Sequence, residues 1–278
     1  MSEVMAEATS APSRQSATAG KGHDVRPNAT PAPAVTRAAA VLDALADSLT
    51  GRLTLSDLAR ELAIPKSSTS NLLQALEDAE LITRVGTDYA LGVKLVELGA
   101  AYLSRRDEVK EFYRFCEQAP LLNAATVRIA MLDGDNVIYL ARYEGHPAVR
   151  LTSNIGDKMP VSLCSVGKAL VAKLHDHDLD EQFPDDVALP IMTSKSLKTG
   201  RELKAEIRSI RAQGYAFEDE ESTLGVVSLG VAVPTRGSHG PSLGVSVTAL
   251  KATFSEAERE AMVGELRDLT KMLGNPMG

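Results

Sequence analysis

Residues 55–84 read LSDLARELAIPKSSTSNLLQALEDAELITR, and their spacing decides how the N-terminal part of the chain folds. Leu58 and Leu62 share one side of a short helix over Ser56–Leu62, with Ser56 expected as its N-cap. Ala63 and Ile64 allow only a tight connection. Pro65 then opens a helix over Lys66–Glu80, since proline is tolerated in a first turn whose N–H groups have no helical partner. On that helix Thr69, Leu72, Leu73 and Leu76 fall on one face; Ser67, Ser70, Asn71 and Gln74 project from the other. Two helices at this spacing make a helix-turn-helix. A face of small uncharged hydrogen-bonding side chains suits base edges and phosphates in a major groove. The alternative is a three-helix packing unit with a solvated face, but such faces more often carry Lys and Glu.

Working outward, Val41, Leu42 and Leu45 give a preceding helix over Val35–Leu49. Residues 1–34, rich in Ala, Ser, Thr and Pro, read as a disordered tail. Leu81–Val85 and Tyr89–Leu91 flank Gly86-Thr87-Asp88 as a hairpin, a wing beside the helices. Lys66, Ser67, Ser68, Ser70, Asn71 and Gln74 are the candidate DNA contacts, with Arg84 added from the wing. From Gly92 to about Asn123 the pattern is helical until Pro120 breaks it. Thr126–Leu132, Val137–Ala141, Val149–Thr152, Tyr215–Glu220, Val226–Pro234 and Leu243–Leu250 read as strands. Helices are expected over Ser165–Leu174, after Thr199, and from Ser255 to about Leu273. Thr199 with Glu202, and Ser255 with Glu258, have capping-box spacing. The division is a tail (1–34), a winged helix-turn-helix (35–91), a linker helix (92–105) and an α+β domain (106–275).

Composition sets limits on this reading. The 278 residues are 44% hydrophobic and 24% charged, a globular composition with a sizeable core. Two cysteines, Cys116 and Cys164, exclude a disulfide framework and read as reduced thiols of a cytoplasmic protein. The longest apolar run, around Leu224–Val233, is roughly half of a membrane-spanning helix, so no membrane partner is expected. The N-terminus lacks the basic start and apolar core of a signal peptide. The formal charge of −7 and pI near 5.4 speak against strong bulk attraction to nucleic acid. Residues 35–100 hold six basic against nine acidic residues, a net of −3. Specific contacts would therefore have to carry DNA binding.

The run at 55–84, followed by YALGVKLVELG at 89–99, resembles the N-terminal winged helix of the IclR family of bacterial transcription regulators. DGDNVIYLARYEG at 133–145, MPVSLCSVGKALVA at 159–172 and GYAFEDEESTLGVVSLGVAVP at 214–234 resemble the same family's effector domain. The resemblance spans about residues 35–273. It implies a GAF-like C-terminal domain with a curved antiparallel sheet, and a pocket for a small carboxylate-bearing metabolite. It also implies a homodimer or dimer of dimers on double-stranded operator DNA, with repression the favoured sign. The family often has a basic residue at the position of Asn71, aspartate at that of Glu218 and cysteine at that of Ser228. The positions matching the family's amide donors are Ser165 and Val166. Ser246 and Thr248 alternate on the last strand, so their hydroxyls share a face and suit the same anion. Leu151 and Met159 are placed as an apolar wall.

Other signals stay weaker. His175-Asp176-His177 lacks a third ligand and reads as a solvated loop rather than a metal site; no cofactor is expected. Ser165 and Lys168 match a Ser-x-x-Lys spacing without its companion motifs. The competing reading is not a regulator but a small-acid hydrolase. It would use Cys164 or Ser165 as nucleophile and the helical part for dimerisation, but no histidine motif supplies its base.

Overall fold

The computed structural model describes residues 31–145, 154–234 and 242–274. Most of the expected tail, together with Leu151 and the strand expected over Val149–Thr152, lies outside the described residues.

The N-terminal helices are α1 (Pro33–Asp47), α2 (Leu55–Glu61) and α3 (Lys66–Asp78). Val41, Leu45, Leu58, Leu73, Leu76, Ile82 and Tyr89 form their common core. Each of the first five comes from the apolar face that helical spacing defines. Capping differs from expectation: Thr54, not Ser56, caps α2. The Thr54 hydroxyl accepts from the Asp57 N–H at 3.2 Å, and the Thr54 N–H donates to Asp57 Oδ2 at 3.3 Å. A capping box needs an acid three residues on; Thr54 finds Asp57, whereas Ser56 would find Ala59. Ala63 takes a left-handed φ of 51° in the connection, which lets α3 turn across α2. The wing gains a strand that was not anticipated. Strand β1 (Leu53–Thr54) pairs with β3 (Asp88–Leu91), which pairs with β2 (Ile82–Val85).

The helical pattern after Gly92 is interrupted. Helix α4 (Lys94–Ser104) ends before Arg106, whose backbone is extended, and α5 (Asp107–Gln118) starts with Asp107 and Glu108. Acidic residues favour a new helix N-terminus there. The two helices face different surroundings: α4 buries none of its residues, whereas α5 buries Phe112 and Cys116.

The rest is a sheet with helices on both faces. Its strands are β4 (Thr126–Asp133), β5 (Asn136–Glu144), β6 (Lys158–Pro160), β7 (Ala216–Asp219), β8 (Val226–Ala232) and β9 (Leu243–Leu250). Among the described residues the order is β6-β5-β4-β9-β8-β7, antiparallel throughout. The helices are α6 (Ser165–Val171), α7 (Asp176–Gln182), α8 (Gly200–Gln213) and α9 (Glu256–Gly274). Strand β6 and helix α7 were not expected. The latter begins within the His175-Asp176-His177 run that read as a loop.

Strand alternation sorts the two faces. Val127, Ile129, Leu229, Val231, Val245 and Val247 point to α5 and α9. Arg128, Ser228, Ser246 and Thr248 alternate with them and point to the other face, toward α6. Gly230 on that face lets α6 sit on the sheet: a Cβ there would lie 2.4 Å from the Ser165 carbonyl carbon. This close approach brings the start of α6 down beside the polar rows of β8 and β9.

Candidate functional site

Two surfaces carry the candidate residues. On α3, Thr69 and Leu73 are fully buried and Leu76 nearly so. Lys66, Ser67, Ser68, Ser70, Asn71 and Gln74 are all exposed. No side chain caps the start of α3, and no acidic residue stands in its first turn. Its leading N–H groups therefore face solvent with the positive end of the helix dipole. Gln74 is tied to Asp78, donating at 2.9 Å. Arg84 is exposed on β2, with its guanidinium 5.3 Å from the centre of the Tyr89 ring. Its position is thus set by the wing's own core residue.

The second surface is a cavity of about 110 Å³ on the α6 side of the sheet. Met159, Ser165, Glu218, Ser228, Ser246 and Thr248 meet there, drawn from β6, α6, β7, β8 and β9. Val166 does not line it. Its side chain is fully buried against Gly244, and its amide nitrogen lies over Gly230. Leu151 is outside the described residues.

Glu218 is buried, not solvated, and its surroundings hold it in place. Its Oε1 accepts from the N–H groups of Glu221 at 2.7 Å and Ser222 at 3.0 Å. Its Oε2 accepts from the Ser228 hydroxyl at 3.0 Å, and the same hydroxyl lies 2.8 Å from Ser165 Oγ. Ser228 has a single proton, so when it donates to Glu218 the Ser165 hydroxyl donates to Ser228, and the three side chains form one chain of hydrogen bonds.

Sequence reasoning missed Arg128, which lines the cavity from β4 and is 5% exposed. Its Nη1 donates to Thr248 Oγ1 at 3.0 Å, and its Nε is buried without a partner. The guanidinium lies 5.5 Å from the centre of the Tyr139 ring, itself buried. Burial works against the charge and lowers its pKa from the ordinary value. The signal was present: a lone charge in the apolar run TVRIAML, at a position whose neighbours both face the core.

Lys168 is fully buried behind the cavity. Its Nζ reaches Glu206 at 2.5 Å, Glu221 at 2.7 Å and the Phe217 carbonyl at 3.3 Å. Burial works to lower its pKa, but the two carboxylates hold it above the ordinary value. Burial also pushes Glu221 up, to about 7, against the pull of Lys168. One ammonium does not fully compensate two carboxylates in a dry site. Lys168 is therefore committed to acids and does not activate Ser165. Nor is Cys164 activated: burial pushes its thiol up to about 12. No histidine among the described residues lines the cavity, and His175 and His177 lie exposed at the start of α7.

Residues 34–86 match the IclR helix-turn-helix domain, and residues 100–274 match the bacterial transcriptional regulator IclR C-terminal domain. The chain belongs to the IclR family of bacterial transcriptional regulators. It is 27% identical over 252 residues to the HTH-type transcriptional repressor AllR of Salmonella typhimurium, covering 89% of this chain and 90% of that one. The fold is that of an IclR transcriptional regulator from Alicyclobacillus acidocaldarius, with a TM-score of 0.76, 22% identity, and 87% and 97% of the two chains covered. It also matches an IclR homologue from Microbacterium hydrocarbonoxydans complexed with 4-hydroxybenzoate, with a TM-score of 0.67, 22% identity, and 85% and 98% covered. As an IclR-type regulator, the protein couples a DNA-binding winged helix to an effector-binding domain. Family members are transcriptional regulators, and no helix among the described residues is long and apolar enough to cross a membrane.

Proposed function

We propose that α3 reads an operator half-site through Lys66, Ser67, Ser68, Ser70, Asn71 and Gln74, with Arg84 on the phosphate backbone. A small carboxylate-bearing metabolite occupies the cavity at Ser165, Glu218, Ser228, Ser246 and Thr248, with Met159 and Leu151 as apolar wall. The protein acts in the cytoplasm as a repressor, not an enzyme. Residues 35–91 work as the DNA-binding unit, 92–105 as linker and 106–275 as effector domain. The observation that carries this reading is the split of α3 into a buried face of Thr69, Leu73 and Leu76 and an exposed polar face over residues 66–74 with Lys66 as its one charge, behind an uncapped N-terminus. That arrangement suits insertion by the first turn into a groove. The complex of the Microbacterium homologue with 4-hydroxybenzoate, a carboxylate, supports the ligand class.

The working unit is a homodimer, or a pair of dimers. Helix α4 supports this: none of its residues is fully buried within the chain, and Val96, Leu98 and Tyr102 on it, with Val93 just before it, are exposed. A second copy would cover them. Pairing also offsets the poor bulk attraction of an acidic DNA-binding unit by doubling a few placed contacts.

The test is an electrophoretic mobility shift with DNA from upstream of the protein's own gene against unrelated DNA. The reading expects a sequence-specific complex that Lys66→Ala weakens on both DNAs. Equal binding to both DNAs, or none at any salt, defeats it. Sedimentation of Val96→Asp should show a loss of dimer; an unchanged species would remove α4 from the interface.

A further inference from the structure

The cavity holds two buried side chains of opposite charge that do not meet. Arg128 stands on β4 and Glu218 on β7, separated by β9 and β8. Three strand steps put their backbones about 14 Å apart. Among the described residues no carboxylate lies within ion-pair distance of Arg128; Thr248 is its hydrogen-bond acceptor there, and its Nε has none. A buried cation left this way is costly unless something else fills the site. At the far end Glu218 is held on Oε1 by two backbone N–H groups, while Oε2 meets only the shared Ser228 hydroxyl. Oε2 keeps capacity for a further donor.

Resting on the reading of this cavity as the effector site, we propose that Arg128 and Glu218 grip the two ends of one molecule. The effector is then a short aliphatic acid whose carboxylate lies on Arg128 and whose far end carries a hydrogen-bond donor, hydroxyl or ammonium, for Glu218. The Ser246 and Thr248 hydroxyls stand along β9 between the two ends, and Ser165, hydrogen-bonded to Ser228, lines the same space. Size selects the aliphatic class. A cavity of about 110 Å³ is smaller than the roughly 150 Å³ that admits a benzene ring. A chain of about three carbons between polar ends fits that limit, and a substituted ring does not. Arg128 is thus a specificity-determining residue, and it selects the carboxylate.

Calorimetric titration of the full-length protein tests this with 3-hydroxypropanoate, β-alanine, propanoate, 1,3-propanediol and 4-hydroxybenzoate. The two-ended acids should bind at least about 10-fold tighter than propanoate, because a donor to a buried carboxylate is among the stronger hydrogen bonds. The diol and the ring acid should not bind. Which two-ended acid is tighter tells hydroxyl from ammonium. Arg128→Leu should weaken 3-hydroxypropanoate and β-alanine about 100-fold without lowering the melting temperature of the unliganded protein. Arg128→Lys, which keeps the charge, should fall between. Glu218→Gln should remove the advantage of β-alanine over propanoate and leave propanoate unchanged.

Unchanged affinity in Arg128→Leu overturns the proposal, as does propanoate binding as tightly as the two-ended acids. Binding of 4-hydroxybenzoate without the short acids overturns the aliphatic class and leaves the effector reading standing. Binding of none of the acids at millimolar concentration overturns both.

Discussion

The exposed face of α3 and the sheet face that lines the cavity are both built mainly from small polar side chains with one or two charges, yet only one is contiguous in sequence. Lys66 to Gln74 lie within consecutive turns of one helix, so a 3.6-residue period is enough to assign their side. The cavity residues come from six elements between Arg128 and Thr248 and meet only because the strands pair in one register. The polar groups also behave differently. Those on α3 are exposed and hydrated, and on the proposed function DNA would replace that water. Those in the cavity are already dry, and must satisfy one another or a ligand. A surface site is specified by pattern, whereas a buried site is specified by the packing that closes around it.

That contrast gives a ranked set of ways to break it. Gly230→Ala should have the largest effect. The new methyl would strike the backbone at Ser165, so α6 must lift from the sheet, at a cost of about 3 kcal/mol. Chemical denaturation should show the loss in the effector domain. A neutral result would mean that α6 is not pinned there and that the cavity is not defined by this contact. Asn71→Ala, by contrast, should leave stability untouched. It should lower operator affinity by about 2 kcal/mol and relax preference at one base pair, measured by mobility shift on a set of single-base variants. Loss of stability there would show that the exposed face of α3 is structural.

How much the sequence revealed follows the same division. The three N-terminal helices, the wing hairpin and the strands β8 and β9 were legible, because Leu73, Leu76, Val245 and Val247 keep the period of their element. Ser165, Glu218 and Ser228 were assigned to the cavity through family resemblance alone, whereas Ser246 and Thr248 also showed the alternation that puts their hydroxyls on one face. Arg128 carried neither. A charge on a strand reads as solvent-facing unless its own face is known to be covered, and α6, which covers it, comes from a separate segment of the chain. Helix α7 escaped because its run of Asp and His offered little apolar period beyond Leu179. The cap at Thr54 was misassigned by weighing the serine alone, without the acid three residues ahead.

Smaller effects refine the buried side. Glu221 holds its proton up to about pH 7 in the folded protein, whereas an unfolded glutamate gives it up near 4.5. The native state therefore carries an extra proton in that window. Its stabilisation is full below pH 4.5 and is lost as pH rises toward 7, with a slope of at most about 1.4 kcal/mol per pH unit. Glu221→Gln should remove this component, seen as a flatter stability profile between pH 5 and 7 than the parent's. An identical profile would place the proton elsewhere. Thr54→Ala should cost about 1 kcal/mol through loss of the α2 cap, while Ser56→Ala should cost a few tenths at most. The reverse order in thermal melts would restore Ser56 as the cap.

On the proposed function, the dry polar cavity controls the wet polar face. An effector can do so only by binding better to one arrangement of the recognition helices than to another. The most direct measurement is operator affinity of the full-length protein with and without saturating 3-hydroxypropanoate, in parent and in Arg128→Leu. A change of about 5- to 150-fold in the parent, absent from the variant at the same concentration, is the predicted result. An acid that binds the parent in calorimetry yet leaves operator affinity unchanged would contradict it.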